Sequence, residues 1–245
     1  MPQPPKLILC ANPAQEREIT MEHAAIAHMA YRVDPGPLLM RASGEMPGQG
    51  GLLYFSLPEP RGGNTGFFLQ QVGRECMARK AVGVVADLGE GLEGLAGGLD
   101  RLASQRGLSL YVPEIYHDNA PHARLLVSTA VSGGSLRQHL EEAAQAYGRD
   151  RVVPALERIA ADFTPPQRSG QGRSLSPEEL RLLRERLKPG IFWSPELRVR
   201  YFTYYDQGQT HFVLFDDGET LRAKLRLIGE LGFGLCLAAW GDLED

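Results

Sequence analysis

Short apolar runs alternate with amphipathic stretches along the whole of this chain, and no other feature of the sequence limits the fold as tightly. Such alternation argues for parallel β/α units. The runs fall at residues 6–11, 37–42, 51–57, 82–88, 108–114, 124–130, 151–159 and 234–240. Between them, residues 65–80 carry Phe68, Val72, Cys76 and Met77 at helical spacing. Residues 135–147 open on Ser135 with Gln138 three positions on, the spacing of a capping box, and stop at Gly148. Residues 176–187 begin Ser-Pro-Glu-Glu, with proline at the first helical position. Further helices are expected at 21–31, 92–105 and 219–231.

Eight strands in this order favour an α/β fold of the (β/α)8 TIM-barrel type over an open doubly wound sheet. The 245 residues suit a single barrel domain spanning residues 1–245. A proline- and glycine-bearing loop at 164–173 leads into a helix, an extended run and a hairpin. Residues 164–217 are therefore read as a small α+β insertion before the last helix. The run at residues 108–113 is short and the connection at 47–51 is tight, so some barrel helices must be missing or irregular.

Composition excludes several function classes. The net charge is −4, and Lys and Arg are scattered, so a nucleic-acid face is not expected. Cys10, Cys76 and Cys236 are isolated in apolar settings and read as reduced, buried thiols. His23 and His28 are five apart, which does not stack them on one helical face as a metal pair, and no metal or other cofactor is expected. The amino terminus lacks the basic segment and apolar stretch of a signal peptide, and no apolar run is long enough to span a membrane. These features give the expectation of a soluble cytoplasmic protein without membrane contact, of undetermined oligomeric state.

Chemistry in such a barrel collects where strands end at the carboxyl-terminal face. Those ends carry Asp87 and Glu90 after the fourth run, and Glu114 and Tyr116 after the fifth. Ser132 follows the sixth, Glu157 and Asp162 the seventh, and Trp240 the eighth. Carboxylates for acid–base work beside aromatics for stacking suit a sugar ligand. Each residue also has a plainer reading. Asp87 could cap a helix or bond within the barrel, Glu114 could face solvent, and Glu157 could pair with Arg158. Trp240 could plug the barrel end, and Asp216 and Asp217 suit the start of the following helix. Ser132-Gly-Gly-Ser135 before a helix could hold a phosphate.

The closing segment carries a more specific pattern. Tyr201-Phe-Thr-Tyr-Tyr-Asp206 and His211-Phe-Val-Leu-Phe-Asp-Asp217 are followed by Lys224, Gly232-Phe-Gly234 and Trp240. With the Ser-Pro-Glu-Glu-Leu helix start, this order resembles the carboxyl-terminal part of glycoside hydrolase family 18, the chitinase and spore-cortex hydrolase family. The likeness is closest from about residue 175 onward and extends over the barrel in style, as in the apolar run ending at Pro113. It implies a ligand containing N-acetylhexosamine. It also implies that Asp87 orients the substrate's own acetamido group in a retaining, substrate-assisted reaction.

The sequence departs from the family where the proton donor belongs. In Gly83-Val-Val-Ala-Asp87-Leu-Gly-Glu90, that position is Gly89. Glu90 is adjacent, but strand alternation turns it away unless the backbone bulges, which the flanking glycines would permit. The sixth strand end, Ser128-Thr-Ala-Val-Ser132, lacks the family's Tyr-Asp; Tyr116 or Tyr205 would have to substitute. The expectation is a barrel that binds a chitin- or peptidoglycan-type glycan with impaired or lost hydrolysis. Asp87 and Glu90 are the candidate catalytic pair, and Glu114, Tyr116, Glu157, Tyr205 and Trp240 the candidate substrate contacts. The alternative is a cytoplasmic barrel enzyme acting on a phosphorylated small molecule at 132–135.

Overall fold

The structure is a computed structural model that describes residues 3–19, 25–42, 48–60, 62–164 and 172–243. Strand β1 (Lys6–Ala11) pairs in parallel with β2 (Ala25–His28), and a separate antiparallel hairpin of β3 (Tyr31–Asp34) and β4 (Leu38–Arg41) follows. The barrel wall resumes with β5 (Leu52–Leu57), helix α1 (Thr65–Arg79), β6 (Gly83–Leu88) and α2 (Glu93–Arg106). It continues through β7 (Ser109–Pro113), β8 (Arg124–Ser128), α3 (Leu136–Tyr147) and β9 (Val152–Leu156). An insertion then contributes β10 (Ala160–Phe163), β11 (Arg173–Ser174), α4 (Pro177–Leu187), β12 (Phe192–Ser194), β13 (Val199–Asp206) and β14 (Gln209–Phe215). Helix α5 (Gly218–Glu230) and β15 (Leu235–Ala239) complete the chain, and β15 closes the barrel between β9 and β1.

The eight barrel strands lie in the order β1-β15-β9-β8-β7-β6-β5-β2. Seven of them coincide with expected runs; the second does not. Residues 25–28 were expected in a helix over 21–31, yet Ala25–His28 is a barrel strand bridging β1 and β5. Its small Ala27 fills the barrel interior, where a bulkier residue would crowd Ile8 and Leu52. The run expected as a strand at 37–42 instead forms the return limb of the hairpin. Asp34-Pro-Gly36 makes the turn, with Gly36 at φ +99°.

Strand alternation sorts the core into layers. Ile8, Cys10, Leu52, Val85, Tyr111 and Val153 point into the barrel. Their neighbours Phe55, Val84 and Leu88 pack outward with Phe68, Val72 and Leu99 of α1 and α2. Phe55 and Phe68 meet edge to face at 5.3 Å, and full burial of such a side chain contributes about 1.5–3 kcal/mol. On the other side, Leu9, Val127 and Leu156 meet Leu140 of α3 and Ile228 of α5. A single 3-10 turn (Glu114–Tyr116) stands where a helix would join β7 to β8.

The insertion is a five-stranded antiparallel sheet with α4 beside it, beginning at Ala160, earlier than the expected 164. Residues 165–171 of the expected loop lie outside the described residues. Ser176 caps α4 with a complete box through Glu179, whereas Ser135 caps α3 without a reciprocal bond, because the Gln138 side chain turns to Glu142. Asp217 caps α5 as expected, in a box with Thr220.

Asp216 does something different. It is fully buried and paired with the equally buried Lys224 at 2.6 Å. It also accepts hydrogen bonds from Thr220 Oγ1 at 2.6 Å and the Ile159 amide at 2.9 Å. Lys224 Nζ reaches the Glu157 carbonyl at 3.4 Å. The insertion and α5 are thereby bolted to the end of β9. Removing one member leaves an uncompensated buried charge, which costs about 3–5 kcal/mol. Urea unfolding of Lys224→Met should show a loss of that order, with Asp216→Leu/Lys224→Met losing less than the single variant. A single variant within about 1 kcal/mol of wild type would show that the pair is not structural.

Candidate active site

A cavity of about 440 Å3 opens at the carboxyl-terminal ends of the barrel strands. Cys10, Tyr54, Val85, Asp87, Leu126, Ala155, Glu157 and Leu237 line it, with Met29, Arg158 and Asp242 at its rim-side wall. Register explains the selection. Asp87 continues the inward series of Val85, and Glu157 that of Val153 and Ala155. The structure thus brings together Asp87 and Glu157 from opposite parts of the wall.

Tyr54 Oη donates to Asp87 Oδ2 at 3.2 Å. Burial pushes the Tyr54 phenol up, reinforced by the Asp87 charge. Burial likewise pushes the Cys10 thiol to about 12, so it is a neutral wall rather than a nucleophile.

Glu157 is held at several points. Its amide donates to Thr129 Oγ1 at 3.1 Å, its carbonyl accepts from Lys224, and its carboxylate accepts from Ser128 Oγ at 2.5 Å. Burial raises its pKa, the Asp87 and Asp242 charges add to the rise, and the Ser128 bond and Lys224 oppose it. The expected Glu157–Arg158 pair is not formed. Arg158 Nε binds Asp242 Oδ1 at 2.6 Å instead, and its Nη2 donates to the Asp242 carbonyl at 3.2 Å.

The remaining sequence candidates lie elsewhere. Glu90 is exposed and outside the cavity lining, and Glu114 opens the 3-10 turn, also outside it. Tyr116 is buried: its hydroxyl donates to the Gly89 carbonyl and accepts the Leu92 amide at 3.1 Å, so it fastens the loop after β6. Tyr205 is 72% exposed on the β13–β14 hairpin. Trp240 follows the outward series of Cys236 and Ala238 and packs against the cluster of Leu9, Val127 and Leu140. The cavity wall beside it is Ala239 and Asp242. Asp162 belongs to the insertion sheet, where it binds Tyr204 Oη at 2.6 Å and His211 Nδ1 at 2.9 Å. Period-two counting from Val85 and Val153 singles out Asp87 and Glu157 in the sequence, and the same count from Leu235 turns Trp240 outward.

Gly89 is closed to any side chain: a Cβ there would lie 1.8 Å from the Pro58 carbonyl oxygen. At the proposed phosphate loop, the Leu136 amide is taken by the Glu196 carbonyl and the Gln138 amide by Ser135 Oγ. Two of the donors that would cradle a phosphate are engaged.

No family model matches this chain, and no curated protein matches it by sequence. Solved structures match nearly its whole length. The spore cortex-lytic enzyme SleL of Bacillus megaterium QM B1551 superposes at a TM-score of 0.60 with 15% identity, covering 98% of this chain and 71% of that one. The chitinase of Chromobacterium violaceum ATCC 12472 gives 0.61 and 15%, covering 97% of this chain and 95% of that one. The fold is that of family 18-type chitinases and spore cortex-lytic enzymes. A mutant class V chitinase of Nicotiana tobaccum, solved in complex with NAG4, shares this chitinase fold at 0.59 and 10% identity, covering 97% of this chain and 94% of that one.

Two outcomes follow for the chitinase-like barrel. Gly89→Glu, which puts a side chain into the Pro58 backbone, should destabilise the protein by at least about 1–3 kcal/mol in urea unfolding; unchanged stability would mean the approach of Pro58 to residue 89 is loose. Glu157 has a raised folded pKa, so its ionisation opposes folding. The stability it contributes is present below the unfolded pKa and is lost as pH rises through the folded value. Glu157→Gln should therefore gain stability relative to wild type at neutral pH and lose that gain below about pH 4. A pH-independent difference would contradict the raised value.

Proposed function

We propose that this protein binds a glycan containing N-acetylhexosamine, of chitin or peptidoglycan type, in the cavity of its family 18-type barrel. Hydrolysis by the family's usual proton donor is impaired. The observation that carries the reading is the pairing of a retained Asp87 with a sterically closed Gly89 at the end of one strand. Asp87 faces the cavity where the family resemblance assigns the acetamide-orienting aspartate, and Tyr54 donates to its carboxylate. The free Asp87 oxygen is left to accept an amide N–H from a sugar. Val85, Leu126 and Leu237 supply apolar surface for a pyranose face. The aromatic floor expected from Trp240 is not part of this lining.

Thermal-shift measurements with chito- and muro-oligosaccharides test the reading. At a ligand concentration of 100 times Kd, stabilisation should be about 2.7 kcal/mol, a Tm rise of roughly 5–10 °C. Asp87→Ala should weaken binding about tenfold or more, the loss of one charge-assisted hydrogen bond. No shift with any N-acetylated sugar, alongside a clear shift with sugar phosphates, would replace this reading with that of an enzyme for phosphorylated small molecules.

A further inference from the structure

We propose that Glu157 is the proton donor of this cavity, standing in from β9 for the carboxyl group missing at Gly89. The inference rests on the glycan reading above. The end of β6 cannot supply the acid: a side chain at Gly89 would enter the Pro58 backbone, and Glu90 lies outside the cavity. Glu157 is a cavity carboxyl group borne on the inward register of a barrel strand, facing Asp87 across the space a sugar would fill.

Its surroundings differ from those of a structural carboxylate, which would be paired with a cation. The adjacent Arg158 is committed to Asp242, and the buried Lys224 to Asp216; Lys224 meets Glu157 only at the backbone carbonyl. The groups facing the Glu157 carboxyl are Asp87, Asp242, the Tyr54 phenol and the Ser128 hydroxyl, with Lys224 behind. Burial and the two aspartates favour the protonated form. The backbone is fixed on both sides, by Thr129 at the Glu157 amide and by Asp216 at the Ile159 amide. An acid whose pKa is raised and whose backbone is held on both sides suits proton donation to a leaving group.

In the step itself, Glu157 gives its proton to the glycosidic oxygen. The C1–O bond breaks with its electron pair passing to that oxygen, and the acetamido carbonyl oxygen of the same sugar closes on C1. Asp87 accepts the acetamido N–H. Water then attacks C1, the bond to the acetamido oxygen breaks, and the Glu157 carboxylate takes the water's proton, restoring the acid.

The test compares a chito-oligosaccharide, whose leaving group needs a proton, with an umbelliferyl chitobioside, whose leaving group scarcely does. Glu157→Gln should bind both as wild type does by calorimetry. It should lower cleavage of the oligosaccharide about 10²–10⁴-fold and of the aryl glycoside much less. Ser128→Ala, which removes a bond favouring the carboxylate, should move the basic limb of the wild-type pH profile upward. Oligosaccharide cleavage by Glu157→Gln at the wild-type rate overturns the assignment. So does a wild-type protein that binds the oligosaccharide and cleaves neither substrate, a result that leaves the glycan reading standing. Absence of binding overturns both.

Discussion

The buried pair of Asp216 and Lys224 is the contact on which the rest of this structure depends. Taking two charges fully out of water is costly, and the cost is offset only when every remaining donor and acceptor is satisfied. Here the partners include Thr220 and the backbone of Glu157 and Ile159. One polar knot therefore joins the last helix, the start of the insertion and the end of β9. That strand end carries Glu157, so the knot that fastens the insertion to the barrel also sets the geometry of the cavity.

The cavity itself is built from strand ends on a family 18-type barrel. Asp87 stands on the inward face of β6, but the next inward position belongs to a glycine pressed against Pro58. Tyr116 and the Leu57 carbonyl fasten this glycine further, through its carbonyl and amide. Placing a glutamate there would require moving the Pro58 backbone as well as changing the residue. On the opposite wall, an acid sits among acids with its ordinary cationic partner diverted to Asp242.

Much of the barrel was legible in the sequence because seven of its strands are bounded apolar runs whose length excludes helices. The second strand was not, because Ala25–His28 is short, weakly apolar and rich in alanine, which reads as helix in isolation. Only closure of the barrel forces it to be extended. The Asp34-Pro-Gly36 turn was the overlooked signal that the following run folds back as a hairpin. Within the site, strand alternation was enough to place Asp87 and Glu157, and would have turned Trp240 outward had it been applied to β15. What the sequence could not reveal was partnership across the fold: Arg158 with Asp242, Asp216 with Lys224, and Tyr116 with the Gly89 loop.

The central claim is that a sugar carrying an N-acetyl group occupies the mouth of this barrel. A crystal structure of the protein with chitotetraose tests it most directly. The account predicts one pyranose ring in the cavity, its acetamido nitrogen within hydrogen-bond distance of Asp87 and its glycosidic oxygen facing Glu157. A tetrasaccharide bound only outside this cavity, or a cavity left empty at saturating ligand, would contradict it.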